Sequence, residues 1–252
     1  MAALDEITRY LDWLLDPSGF DDYGPNGLQV PGAPEVTKVA TGVSAQLELF
    51  ERAAEARAEL VVCHHGLFWD FHTRAITPAM RRRLKALLDH DMSLAAYHLP
   101  LDAHPEVGNN ALICKALGLE RSEPFGAARG APVGWVGRSE EGIPFPELHE
   151  RCRSLFGQDP LIWEAGPDLV HSVGVVSGAA SSSLSEAIAQ GLDAFLTGEP
   201  AEHTMADARE AGVHFLACGH YSTETFGVRR LGELLEERFA LVHEFVDLPN
   251  PI

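Results

Sequence analysis

A chain of 252 residues with 46% hydrophobic content can bury either one large core or two small interlocked ones. Its 37 acidic and 19 basic residues leave a formal charge of −18, which repels phosphate backbones, so direct nucleic-acid binding is not expected. Cys63, Cys114, Cys152 and Cys218 are too scattered for a disulfide framework or a CxxC zinc site. Met1–Glu6 carries no basic-then-apolar leader and no later run approaches ~18 apolar residues, so a cytoplasmic protein with no membrane contact is expected.

Leu4, Ile7, Leu11, Leu14 and Leu15 recur at helical spacing and predict an opening helix that stops near Pro17. The loop Asp22-Tyr23-Gly24-Pro25-Asn26-Gly27 is rich in turn formers. Apolar runs and helical patterns then alternate: strand 36–43, helix 45–57, strand 60–63, helix 78–89, strand 92–97 and helix 107–117. Arg81-Arg82-Arg83, the only basic run, falls on a solvated face of the 78–89 helix. The segment 120–166 is rich in Gly and Pro; it predicts a strand at Val133–Val136 and a helix from Phe145 to Leu155.

A second cycle begins at Val173. Val173-Gly174-Val175-Val176-Ser177-Gly178 parallels Val39-Ala40-Thr41-Gly42-Val43-Ser44, and Ser44 stands as far from Glu59 as Gly178 from Asp193. His98 precedes Asp102 by four positions, as His220 precedes Glu224. These matches predict an internal duplication, with pseudo-repeats at about 36–117 and 170–238 around a variable middle segment, 120–166. The alternation itself predicts an α/β fold.

Polar clusters follow the predicted strands where open α/β sheets place their ligands: His64-His65, His98 with Asp102, and His220 with Glu224. Neighbours on an extended chain point to opposite faces, so the His64-His65 pair suits two ions, one per ring. Imidazole and carboxylate donors suit zinc, iron, manganese or nickel. One arrangement places His64 and His65 on separate ions, adds His220 to one and Asp102 to the other, and bridges them with Glu224. His98 then acts as a partner to a ligand or as a proton carrier. The His220–Glu224 spacing also suits a plain helix N-terminus capped by Ser222.

His104 and His203 are placed near the site. His72, His90, His149, His171, His214 and His243 lack such a setting and are expected to be structural or exposed. Cys63 and Cys218 are expected to be core thiols. Ser177-Gly178-Ala179-Ala180-Ser181 is expected to cap the next helix. No phosphate-binding GxxxxGK[ST] loop, GxGxxG turn or HExxH helix occurs.

Taken together, Asp22–Val30, Cys63-His64-His65-Gly66, Tyr97–His104, Asn109-Asn110, Leu196-Thr197-Gly198-Glu199 and Gly219–Glu224 resemble the Nif-three-like dinuclear metal-centre family over nearly the whole chain. Its members are often named GTP cyclohydrolase I type 2. The resemblance implies two interlinked α/β/α lobes and a homohexamer with metal sites facing an inner cavity. It places two divalent metal ions per subunit on His64, His65, Asp102, His220 and Glu224; the catalytic roles expected of His98 and Glu224 come from their residue types and placement. It also implies a small-molecule, nucleotide-type substrate: hydrolytic opening of the guanine imidazole ring of GTP, by metal-hydroxide attack with formate release. The same ions would serve a phosphoesterase or amidohydrolase, and a non-catalytic ring-shaped binding or regulatory protein is the third reading.

Overall fold

The structure, a computed structural model, describes residues 1–252. It is a mixed α/β fold whose chain divides into two compact units: Met1–Leu101 with Gly227–Leu248, and Asp102–Phe226 with Pro249–Ile252. The chain thus leaves the first unit after Leu101 and re-enters it at Gly227. No helix is long and apolar enough to cross a membrane.

The first unit is built on a five-stranded sheet in the order Val242–Phe245, Lys38–Ser44, Leu60–His65, Ser93–Ala96, Gly27–Val30. The first four strands run parallel and the last pairs antiparallel at the edge. Parallel strands joined by helices are buried on both faces, which explains why these segments read as unbroken apolar runs. On one face Ala40, Val61, Cys63, Leu94 and Ala96 pack against Leu49, Phe50 and Ala53 of the Leu47–Glu55 helix and Leu87 of the Pro78–Asp89 helix. Residues of the other parity, Val39, Leu60, Val62 and Ala95, are buried as well. The opening helix spans Leu4–Leu15, as the periodicity predicts, and buries Leu4, Ile7, Leu11 and Leu15.

The second unit holds a six-stranded sheet in the order Glu120–Ala128, Ala131–Pro144, Leu169–Val175, Ala194–Thr197, His214–Ala217, Leu161–Trp163. Leu169–Val175, Ala194–Thr197 and His214–Ala217 run parallel, and the other three strands are antiparallel. Val173, Val175, Ala194, Leu196 and Leu216 pack on Ile113, Cys114, Leu148 and Cys152 from the Asn109–Ala116 and Phe145–Phe156 helices. Phe125, Phe195 and Phe215 form a row of rings, with centroids 5.9 and 5.8 Å apart.

The weakly patterned middle segment folds as a long hairpin, Glu120–Ala128 with Ala131–Pro144, far beyond the strand predicted at Val133–Val136. Register shifts on both of its ladders, between Arg121 and Pro124 and between Val170 and Ser172, break the alternation that would have marked it. The helix expected from Val107 starts at Asn109. The cysteines are all buried and unpaired by disulfides, and Cys63 and Cys218 occupy core positions.

Candidate metal centre

His64 and His65 are the last two residues of the Leu60–His65 strand. Their rings stand 4.8 Å apart, centroid to centroid, rather than on opposite faces as strand alternation predicts. The regular pairing with the neighbouring strand ends at Cys63 opposite Ala96, and beyond it each ring follows its own partner, His64 toward Tyr97 and His65 toward Ser44. His98 follows that neighbouring strand and joins the pair, 5.0 Å from the His64 ring and 5.6 Å from that of His65. One nitrogen from each of the three rings lies within 4.8 Å of the others.

Each ring is held from behind. His64 Nδ1 lies 3.0 Å from the Tyr97 carbonyl oxygen. A carbonyl only accepts, so Nδ1 carries the proton and Nε2 is the nitrogen with a lone pair. His98 Nδ1 meets the Asp22 carboxylate at 2.7 Å, which fixes the same tautomer, and His65 Nδ1 pairs with the Ser44 hydroxyl at 3.1 Å. Metal-binding histidines characteristically donate their other ring N–H to an oxygen in this way.

Asp22 is the hub of this half. Its side chain is only 2% exposed and accepts from Tyr23 N–H, Leu99 N–H and Asn26 Nδ2, while Asn26 Oδ1 accepts from His98 N–H. Burial works to raise the Asp22 pKa, but the hydrogen bond and charge of His98 and the Asn26 and Tyr23 donors outweigh it and hold the carboxyl below its ordinary value.

In the second unit His220 opens a short helix, His220–Thr223, after the His214–Ala217 strand. Its Nδ1 pairs closely with Glu199, and its Nε2 lies 3.1 Å from Glu224 Oε2. Burial lowers the imidazole pKa, yet Glu224 and then Glu199 overcome it and push the group up to about 9. Near neutral pH this ring is therefore an imidazolium between two carboxylates. The helix-cap reading of Ser222 fails, since Gly219 holds the N-cap position. Glu224 is only 2% exposed and sits against Gly178, whose φ of +67° suits glycine and whose missing Cβ would fall 2.3 Å from Glu224 Oε1.

Asp102, buried in the Leu99–Ala103 helix, accepts from Asn109 Nδ2 at 2.8 Å and from the Ser177 hydroxyl at 3.0 Å. The capping expected of the Ser177–Ser181 segment is not made by a side chain: Ser177 Oγ goes to Asp102 and its N–H to Asn110 Oδ1 at 2.7 Å, while neither following helical turn has a side-chain cap. Ser177 and Gly178 together thus position Asp102 and accommodate Glu224.

Of the residues singled out from sequence, His64, His65 and His98 come together in the first unit, and His220 and Glu224 in the second. Asp102 is fixed within its own hydrogen-bond network. The sequence points to His98 only as a partner or proton carrier, and its place in the imidazole trio qualifies it equally as a donor. His104 Nδ1 accepts from the N–H groups of Glu106 and Val107, a turn-closing role, and His203 adjoins the Thr204–Ala211 helix. His214 is structural, stacked on Phe145 at 3.7 Å. Glu199 stands at a strand end that the sequence already marks, whereas the supporting roles of Asp22, Ser44 and Ser177 are not legible there because their partners lie 76, 21 and 75 positions away in the chain.

The donor set fits divalent ions. Imidazoles locked with Nδ1 occupied and buried carboxylates beside them form the N/O chemistry that zinc, iron, manganese and nickel take.

The sequence profile described as Duf34/NIF3 (NGG1p interacting factor 3) matches residues 2–251. A Pseudomonas aeruginosa protein named GTP cyclohydrolase 1 type 2 homolog is 41% identical over 249 residues, covering 99% of this chain and 98% of its own. The Escherichia coli K12 protein of the same name is 40% identical, covering 98% of each chain. Among solved structures, protein ybgI, described as of unknown function, superposes with a TM-score of 0.94 at 38% identity over 100% of both chains. TTHA1606 from Thermus thermophilus gives 0.87 at 36%, again over 100% of both. With near-complete coverage by profile, sequence and structure alike, the chain belongs to the Duf34/NIF3 family.

Proposed function

We propose that the protein is a dinuclear-metal-dependent hydrolase of a nucleotide-type small molecule, with opening of the guanine imidazole ring of GTP and release of formate as its specific reaction. The observation that carries this reading is the common fixing of imidazoles through Nδ1, at His64, His98 and His220 by oxygens that only accept. The name carried by the curated relatives supports the choice of GTP.

His64, His65, Asp102, His220 and Glu224 would hold the two divalent ions. Bound there, such ions act as Lewis acids and bring the pKa of water toward neutrality. The protein's own groups supply the rest. Asp22 keeps the His98 proton on Nδ1, so His98 Nε2 is the atom that accepts a proton and returns it to the leaving nitrogen. Glu199 and Glu224 hold a proton on His220 in the metal-free protein, a proton that a bound ion would displace. Glu224, buried beside Gly178, offers a second proton acceptor as well as a ligand. We further propose a homohexamer acting in the cytoplasm.

The test combines metal analysis with product assay. Metal-loaded protein incubated with GTP should release formate. His64→Ala and Glu224→Ala should each lose at least one ion and all activity with the circular dichroism spectrum unchanged, and light scattering should give six chains. Full metal content in both variants refutes the site. Absence of formate across several metals and pH values refutes the GTP reaction and turns the choice to a phosphoesterase, an amidohydrolase or a non-catalytic binding ring.

A further inference from the structure

The loop after the His64-His65 pair carries an unusual density of aromatic rings: Phe68, Trp69, Phe71 and His72. Its base is firmly held. Leu67 is buried with its N–H on Gln29 Oε1 at 2.8 Å, Asp70 N–H reaches the Tyr23 carbonyl at 2.7 Å, and the indole N–H of Trp69 donates to the Gly66 carbonyl at 3.1 Å. Gly24 packs so closely on this base that a Cβ there would fall 2.1 Å from the Phe68 carbonyl oxygen.

On this base the Trp69 ring stands edge-on to the imidazole trio, its centroid 5.1 Å from that of His98 and 5.8 Å from that of His65. Phe71 stacks on Trp69 at 5.6 Å with an interplanar angle of 24°, and the residue is 68% exposed. His72 meets Phe71 edge-on at 4.9 Å. A benzyl side chain left this open gains little from the fold, since burial is what stabilises aromatic residues. Here it extends a row of π-faces outward from the imidazoles. A molecule with one end at His65 and His98 that extends toward this loop meets that row of rings.

We propose that Trp69 and Phe71 form a stacking platform that selects a planar heteroaromatic ring in the molecule engaged by the imidazole trio. The proposal rests on the reading of that trio as part of the reaction site, and it adds a specificity determinant outside the ligand set. Stacking of a base on an aromatic side chain is tolerant of ring identity, because every such ring has a π-face. The platform therefore selects for the presence of a planar ring and not for one base. Trp69, pinned through its indole N–H, sets the orientation. Phe71 supplies the outer face.

The test uses metal-loaded protein and three probes: guanosine monophosphate, uridine monophosphate and ribose 5-phosphate, the last lacking a ring. Calorimetry should show both nucleotides binding tighter than ribose 5-phosphate by roughly tenfold to a hundredfold. Phe71→Ala should remove most of that excess and Phe71→Tyr should keep it, with ribose 5-phosphate affinity and metal content unchanged in both. Equal affinity for all three probes, no nucleotide binding, or an undiminished excess in Phe71→Ala overturns the proposal. A smaller assembly for Phe71→Ala in light scattering assigns the ring to a contact between copies and also overturns it. If instead His64→Ala keeps its metals while the nucleotide excess persists in the parent protein, the dinuclear site fails and the platform stands.

Discussion

Replacing Gly178 by alanine isolates one steric contact at the candidate centre. The backbone there has φ of +67°, a conformation costing an L-residue roughly 1–2 kcal/mol. The new Cβ would fall 2.3 Å from Glu224 Oε1, whereas an ordinary contact needs about 3.4 Å, so the carboxylate must retreat by about 1 Å. For a chain of this length 1–2 kcal/mol lowers Tm by about 2–8 °C, and the metal-free protein should show that shift by calorimetry. The larger effect is on binding. Misplacing a ligating or reacting group by 1 Å can cost about a hundredfold, so Gly178→Ala should take up metal far more weakly than the parent in competition with a chelator. Serine should behave like alanine, since its Cβ is the same. Parent-like metal affinity together with a lowered Tm would show that Glu224 does not ligate; parent-like values of both would refute the packing argument itself.

Other outcomes follow from the residues around the ligands. Glu199→Gln keeps an acceptor for His220 Nδ1 but removes its charge, so metal affinity should fall about 10- to 100-fold with Tm of the metal-free protein read separately. Asn109→Ala removes a buried donor from Asp102, which should destabilise by about 1–3 kcal/mol in denaturant titration. His243 is half-buried against Thr41 Oγ1 at 2.8 Å; burial lowers its pKa below 6.5 and outweighs the opposing pull of Glu236, Glu233 and Glu244. The unfolded chain then binds the extra proton first, so stability should fall as pH drops below about 6.5 through the folded-state pKa, and His243→Gln should flatten that slope in thermal melts.

The family's motif residues can be read from sequence because glycine, histidine and carboxylate at strand ends carry their chemistry with them. His64, His65, His98 and His220 fall at the ends of strands or just beyond them, as the alternation of apolar runs and helical patterns predicts, and Glu224 ends the short helix after the last of these strands. Local signals are weakest between 120 and 166, where register shifts cancel the two-residue period that a strand needs to be recognised.

The sequence by itself determined the alternation of strands and helices, the buried cysteines and the candidate ligands, since each depends on residue type and short-range spacing. Only the tertiary structure decided that the His64 and His65 rings stand 4.8 Å apart, because each ring is turned by a partner on a different neighbouring segment. It likewise decided which oxygen backs each imidazole: Tyr97 for His64, Ser44 for His65, Asp22 for His98 and Glu199 for His220. These partners come from segments 21, 33 or 76 positions away, and no local pattern in the chain encodes a hydrogen bond over that distance.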